Sequence, residues 1–159
     1  MNKLLVVDLQ RQFKDKDGQY DKCLSYIRRN IDGYDRVYAT LFSQMVGGEL
    51  NDNYQSMLNW DDCISCSKED LEFTEIGGIE VIPKNGYGIA DIDKYITKND
   101  EVFVIGCDTD ACIMAVCFQL WDRGINFRIL TEYTYTTSST FTKDDVIKIL
   151  KRNFGLCVI

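Results

Sequence analysis

Apolar positions follow two rhythms along this chain. Five short stretches are almost continuously apolar and of strand length: KLLVVD at 3–8, RVYATL at 36–41, IEVI at 79–82, EVFVIG at 101–106 and NFRILT at 126–131. Runs of that length bounded by turn residues are the pattern of strands buried on both faces of a parallel sheet. Between them the spacing turns helical. Residues 20–31 (YDKCLSYIRRNI) place Cys23, Leu24, Ile27 and Ile31 on one face before Asp32 and Gly33 close the helix. A second helix is predicted over 111–123 (ACIMAVCFQLWDR), stopped by Gly124. A third runs from Thr142, which with Asp145 in the first turn resembles an N-cap, through Arg152. ADIDKYI at 90–96 predicts a short helix, and the terminal LCVI a possible edge strand. The alternation predicts an α/β protein: a three-layer α/β/α sandwich around a doubly wound, mainly parallel, Rossmann-like sheet of five or six strands.

Residues 42–78 break the rhythm. Their periodicity is weak and Asn, Asp, Gly and Ser are frequent, so this segment is expected to be a lid or an irregular insertion. No repeat, charge block or shift in composition marks a boundary, so residues 1–159 are read as a single domain.

Charge and composition narrow the function. A net charge of -7 gives no electrostatic attraction to nucleic acid or anionic membranes, and neither is expected as a partner. The apolar runs fall far short of the roughly 20 residues a membrane span requires, and the apolar core of MNKLLVVDLQ is too short for a signal peptide. A cytoplasmic protein is expected. Seven Cys, an odd number, then read as reduced thiols rather than a disulfide framework. There is no His, which removes the commonest general base and the commonest transition-metal ligand together.

In open parallel sheets, ligands bind at the carboxyl ends of the strands near the switch in strand order. Three reactive side chains fall at such ends: Asp8 after the first strand, Lys84 just past the third, and Cys112 at the start of the helix after the fourth. Free N–H groups and partial positive charge at a helix start lower a thiol's pKa, which nominates Cys112 over Cys107 and Cys117. Each has a plainer alternative. Cys112 fits a packed core, Asp8 a cap and Lys84 a solvated surface. Cys63 and Cys66 form one CxxC pair, which lacks the two further ligands of a zinc site and the helix-start setting of a redox motif, so buried thiols are expected there.

The stretches LLVVDLQRQF, PKNGYG and VFVIGCDTDACIMAVCFQLWDRGINFRIL, in that order, resemble the three motifs of the isochorismatase-like cysteine hydrolases, the superfamily of nicotinamidases and N-carbamoylsarcosine amidase. The resemblance implies that Asp8 is a general base, followed by Gln10 and the aromatic Phe13, that Lys84 orients the site, and that Cys112 is the nucleophile of a Gly-x-x-Thr-Asp-x-Cys pattern made by Gly106, Thr109, Asp110 and Cys112. It also implies a cis peptide between Cys107 and Asp108, an oxyanion hole from the backbone N–H groups of Asp108 and Cys112, no cofactor, and a homo-oligomer.

Two departures stand out. The Asp-x-His element that binds a metal in many nicotinamidases is replaced by YATLFSQ, so no metal is expected and specificity must come from elsewhere. KNGYGIADIDKYI is shorter than the segment usual there, leaving Tyr87 as a candidate aromatic wall beside Phe13 and Trp60, with packing over the core as the alternative for these rings. Isochorismatases proper cleave a vinyl ether without a Cys nucleophile, so Cys112 favours amide chemistry. The expected function is hydrolysis of a C–N bond in a small amide or carbamoyl substrate through a thioester. The alternative is a member of the same fold that binds a small molecule or a protein without turnover.

Overall fold

In the computed structural model, which describes residues 1–44 and 48–159, the five apolar runs become β1 (Asn2–Val7), β2 (Arg36–Phe42), β3 (Ile79–Lys84), β4 (Glu101–Gly106) and β5 (Asn126–Thr134). They form one sheet in the order β3-β2-β1-β4-β5, every neighbouring pair parallel. The LLVV run puts β1 in the middle, because it offers apolar side chains to both faces and each gains roughly 1.5–3 kcal/mol when removed from water. Leu5 and Val7 face one way with Val102 and Val104, and Leu4 and Val6 face the other with Ile105.

Among the described residues four α-helices accompany the sheet: α1 (Gln19–Asn30), α2 (Glu49–Leu58), α3 (Cys112–Asp122) and α4 (Lys143–Phe154). Helix α1 covers the Leu4 and Val6 face with Tyr20, Cys23, Leu24 and Ile27. Helices α3 and α4 cover the opposite face through Ile113, Val116, Leu120, Val146, Leu150 and Phe154. The result is the three-layer α/β/α arrangement. Strand order reverses between β1 and β4, which opens a crevice at their carboxyl ends. No helix among the described residues is long and apolar enough to cross a membrane.

Several expectations need correction. Helix α2 lies inside the segment expected to be a lid or irregular insertion; it buries only Asn51 and Tyr54 and so carries no apolar stripe for the sequence to display. The rest of that segment includes short 3-10 turns at Lys68–Asp70 and Thr74–Ile76, while residues 45–47 lie outside the described residues. The helix expected at 90–96 is only a 3-10 turn, Ile92–Lys94; Ile92 in it, with Ile89 and Ile96 on either side, reaches the core from an otherwise irregular strap. LCVI forms no strand. It makes a 3-10 turn, Gly155–Cys157, and one parallel bridge between Val158 and Ile129, so five strands is the count among the described residues. Lys84 is the last residue of β3 rather than just past it, paired in register with Phe42. Pro83 is tolerated there because β3 is an edge strand, with no outer neighbour needing its missing N–H.

Candidate active site

Asp8 leaves β1 with φ 46, a left-handed conformation that turns its side chain into the crevice, and it is fully buried at 0% exposure. Thr40 of the adjacent β2 serves both ends of the residue. Its hydroxyl donates to Asp8 Oδ1 and accepts the Asp8 N–H at 2.9 Å. The other carboxylate oxygen, Oδ2, faces Lys84 Nζ at 2.8 Å and has no further partner among the described residues.

The β2–β3 register delivers Lys84 to this point. Its ammonium donates to the carbonyls of Gly86 at 2.7 Å and Tyr87 at 3.2 Å, lies 3.3 Å from Cys112 Sγ, and sits 4.9 Å over the Phe42 ring. A buried ammonium is costly unless its protons are matched, and here the surroundings match them. Burial alone would lower its pKa, but the charges of Asp8 and Cys112 more than offset this and hold it above the ordinary lysine range.

Cys112 is the first residue of α3 and 7% exposed. The turn before it depends on Gly106, with φ 113, where a Cβ would stand 2.1 Å from the Val7 carbonyl oxygen. Only glycine fits that approach of β4 to β1. The Cys107–Asp108 peptide is cis, as the motif resemblance implied. Thr109 ties the turn to the end of β5, donating through its N–H at 2.9 Å and its hydroxyl at 2.7 Å to the Tyr135 carbonyl. The Asp108 carbonyl accepts from Ala111 at 3.1 Å and Ile113 at 3.0 Å. Among the described residues, the N–H groups of Asp108 and Cys112 meet no acceptor, leaving two free donors in the turn that carries the thiol.

One electrostatic expectation is overturned. The helix start alone predicts a lowered Cys112 thiol, but burial pushes it up, the Asp8 charge adds to the rise, and Lys84 only partly opposes them. Burial therefore favours the protonated form of the Cys112 thiol beside the Asp8–Lys84 ion pair.

Above these groups opens a cavity of about 390 Å³. Phe13, Phe42, Trp60 and Tyr87 supply its apolar wall, and Lys14, Asp62, Asp108 and Thr137 its polar part. Phe13 and Tyr87 therefore line the cavity with Cys112, as does Trp60. Gln10 builds this wall from beneath, exchanging two hydrogen bonds of 2.9 Å with the Phe42 backbone as a neighbouring strand would. Gln44 does the same for the next loop, accepting from the Cys63 N–H at 3.1 Å and donating to the Trp60 carbonyl at 2.9 Å. A more open depression of about 840 Å³, around Met1, Asp100, Trp121 and Arg128, lies at the amino ends of the strands, away from the crevice.

Thr40, Phe42, Asp62 and Thr137 were not anticipated. A signal for Thr40 existed, since it is the polar residue in the middle of the otherwise apolar β2 run. No group of three or more His, Cys, Asp or Glu suited to a metal exists among the described residues, and Gln44, at the end of the YATLFSQ stretch, uses its amide on the loop backbone. A nicotinamidase-type metal does not fit. Cys63 and Cys66 are free thiols packed with Phe42 and Tyr54, and burial pushes both up.

No protein-family model matches the sequence, and no curated protein matches it either. Solved structures do match. The yeast nicotinamidase superposes with a TM-score of 0.73 at 17% identity over 100% of this chain and 99% of its own. The nicotinamidase/pyrazinamidase of Bacillus subtilis gives 0.72 at 14% identity, covering 99% and 98%. An isochorismatase-like hydrolase from Alkaliphilus metalliredigens gives 0.69 at 11% identity, covering 95% and 91%. This chain has their fold.

Proposed function

We propose that the protein is a cysteine hydrolase of the isochorismatase-like type, cleaving a C–N bond in a small amide or carbamoyl substrate through a thioester. The observation that carries this reading is the Lys84 ammonium held 2.8 Å from the Asp8 carboxylate and 3.3 Å from the Cys112 thiol, at the floor of an aromatic cavity. The shared fold with nicotinamidases supports it.

Asp8 accepts the proton of Cys112, and Lys84 stabilises the thiolate as it forms. Sulfur attacks the carbonyl carbon, and the N–H groups of Asp108 and Cys112 receive the negative charge that grows on oxygen. Losing one such donor typically costs about 100- to 1000-fold in rate. The C–N bond then breaks as Asp8 returns its proton to the leaving nitrogen, which departs as ammonia or an amine. Asp8, again a base, takes a proton from water; the hydroxide attacks the thioester carbonyl, the C–S bond breaks, and the acid is released with the thiol restored. No His is required, because one carboxylate acts as acid and base in turn.

The raised thiol gives a specific reason to keep a second reading, a binding protein of the same fold without turnover. Ammonia release from a panel of primary amides and carbamoyl compounds, with rapid-quench mass spectrometry for an acyl adduct on Cys112, separates the two. The hydrolase reading expects turnover abolished by Cys112→Ala and by iodoacetamide. Turnover that survives Cys112→Ala rejects the mechanism, and amide binding without any ammonia selects the binding protein.

A further inference from the structure

The charges around the cavity do not balance. At its floor Asp8 and Lys84 pair with each other at 2.8 Å. Lys14 also borders the cavity, but its ammonium lies 3.3 Å from Asp21 Oδ1 and 5.1 Å over the Tyr20 ring, so its charge is engaged on α1. Two carboxylates remain. Asp62 Oδ2 accepts the Trp60 indole N–H at 3.1 Å, and Asp108 accepts the Thr137 N–H at 2.8 Å and its hydroxyl at 2.9 Å. Among the described residues neither is in an ion pair.

These carboxylates border an aromatic wall. Trp60 stacks on Phe13 at 6.0 Å and on Phe42 at 5.5 Å between ring centroids, and all three line the cavity. An indole that donates to a carboxylate becomes more electron-rich on its faces, and ring faces attract cations. Burial raises the Asp108 carboxyl above the ordinary range, the Thr137 hydrogen bonds only partly oppose this, and the Asp110 and Asp8 charges add to the rise, which a nearby cation would relieve. The whole-chain charge of -7 favours approach of a cation and opposes an anion.

We propose that the cavity selects amides bearing a positive charge, the cation resting beside the Asp62 and Asp108 carboxylates against the aromatic wall while the carbonyl meets Cys112. This assignment rests on the hydrolase reading for its chemistry but not for its charge preference. A cavity of about 390 Å³ lies at the small end of ligand pockets, which favours a small occupant.

Three planar amides substituted at the same meta position test it: the 1-methylnicotinamide cation, neutral 3-methylbenzamide and anionic 3-carbamoylbenzoate. For each, kcat/KM is read by ammonia release on the native protein and Kd by calorimetry on Cys112→Ser. The expected order is cation, neutral, anion, with about tenfold between the first two, the size of a cation–π contact supported by a carboxylate. Asp62 is exposed, so its variants keep the fold, which circular dichroism checks. Asp62→Asn narrows the ratio between cation and neutral amide, and Asp62→Lys inverts it. A neutral or anionic amide that matches the cation in both kcat/KM and Kd overturns the proposal. Cation-selective binding without ammonia from any of the three removes the hydrolase reading and leaves charge selection standing; ammonia release without cation preference does the reverse. Failure of all three to bind or react overturns both.

Discussion

Each oxygen of the Asp8 carboxylate has one side-chain partner, Thr40 on Oδ1 and Lys84 on Oδ2, so its direction is set from both sides. In the mechanism proposed above, a base held this way takes the Cys112 proton directly, so thiol reactivity would not wait for solvent to deprotonate a buried thiol. Asp8→Asn removes that route. We expect kcat to fall by about 100- to 10,000-fold, and the residual alkylation of Cys112 by iodoacetamide to climb steadily with pH, because hydroxide must now do what the carboxylate did. A variant whose alkylation stays independent of pH would show that Asp8 is not the base. Cys23 is the internal control. It donates to the Tyr133 carbonyl at 3.0 Å, and burial pushes its thiol up to about 12, so it should stay unmodified under native conditions. Gly106→Ala should cost about 3 kcal/mol in urea unfolding, since the added methyl meets the Val7 carbonyl and the backbone holds a φ of 113. An unchanged midpoint would mean that the two strands separate without cost.

Helix α3 acts beyond carrying the thiol. Gln119, two turns along it, accepts from the Ile89 N–H at 2.8 Å and donates to the Ile89 carbonyl at 3.0 Å. That clamp anchors the strap just after Gly86 and Tyr87, whose carbonyls receive the Lys84 ammonium. Gln119→Leu leaves both backbone groups unmet and should cost about 2 kcal/mol. Because the strap also carries Tyr87, KM for any amide substrate should rise more than kcat falls, which steady-state kinetics reads. At α4 the capping box is explicit: Thr142 Oγ1 accepts the Asp145 N–H at 3.2 Å, and the Asp145 carboxylate reaches back to Thr142. Thr142→Ala should lower stability by about 1 kcal/mol without touching the cavity. Elements such as α1, α3 and α4 were legible because each carries a buried apolar stripe, whereas α2 buries two residues and presents no stripe to read.

Across the molecule, the amino edge of the sheet is held by a buried ion pair. Lys3 of β1 lies 2.8 Å from Asp100, and its ammonium also donates to the Tyr95 carbonyl at 2.7 Å. Burial would raise the Asp100 carboxyl, but Lys3 and the Thr97 N–H and hydroxyl outweigh it and hold the group at about 2. A depressed carboxylate contributes stability that is fully present above its unfolded pKa of about 4 and is lost as pH falls towards 2. Unfolding midpoints measured across that window should drop in the native chain and flatten in Asp100→Asn; an equally steep drop in the variant would place the acid sensitivity elsewhere.

The linear chain determined by itself the alternation of strands and helices, hence the layered parallel fold, because burial on both faces demands continuous apolar runs and burial on one face demands a helical stripe. It also marked Asp8, Lys84 and Cys112 as chemically distinctive groups at strand ends and a helix start. Only the tertiary structure decided that these groups meet, since the β2–β3 register and the order reversal between β1 and β4 are contacts between residues far apart in sequence. It alone also decided that the thiol is raised rather than lowered, because desolvation depends on what packs over a side chain and the local sequence at a helix start reports only the helix.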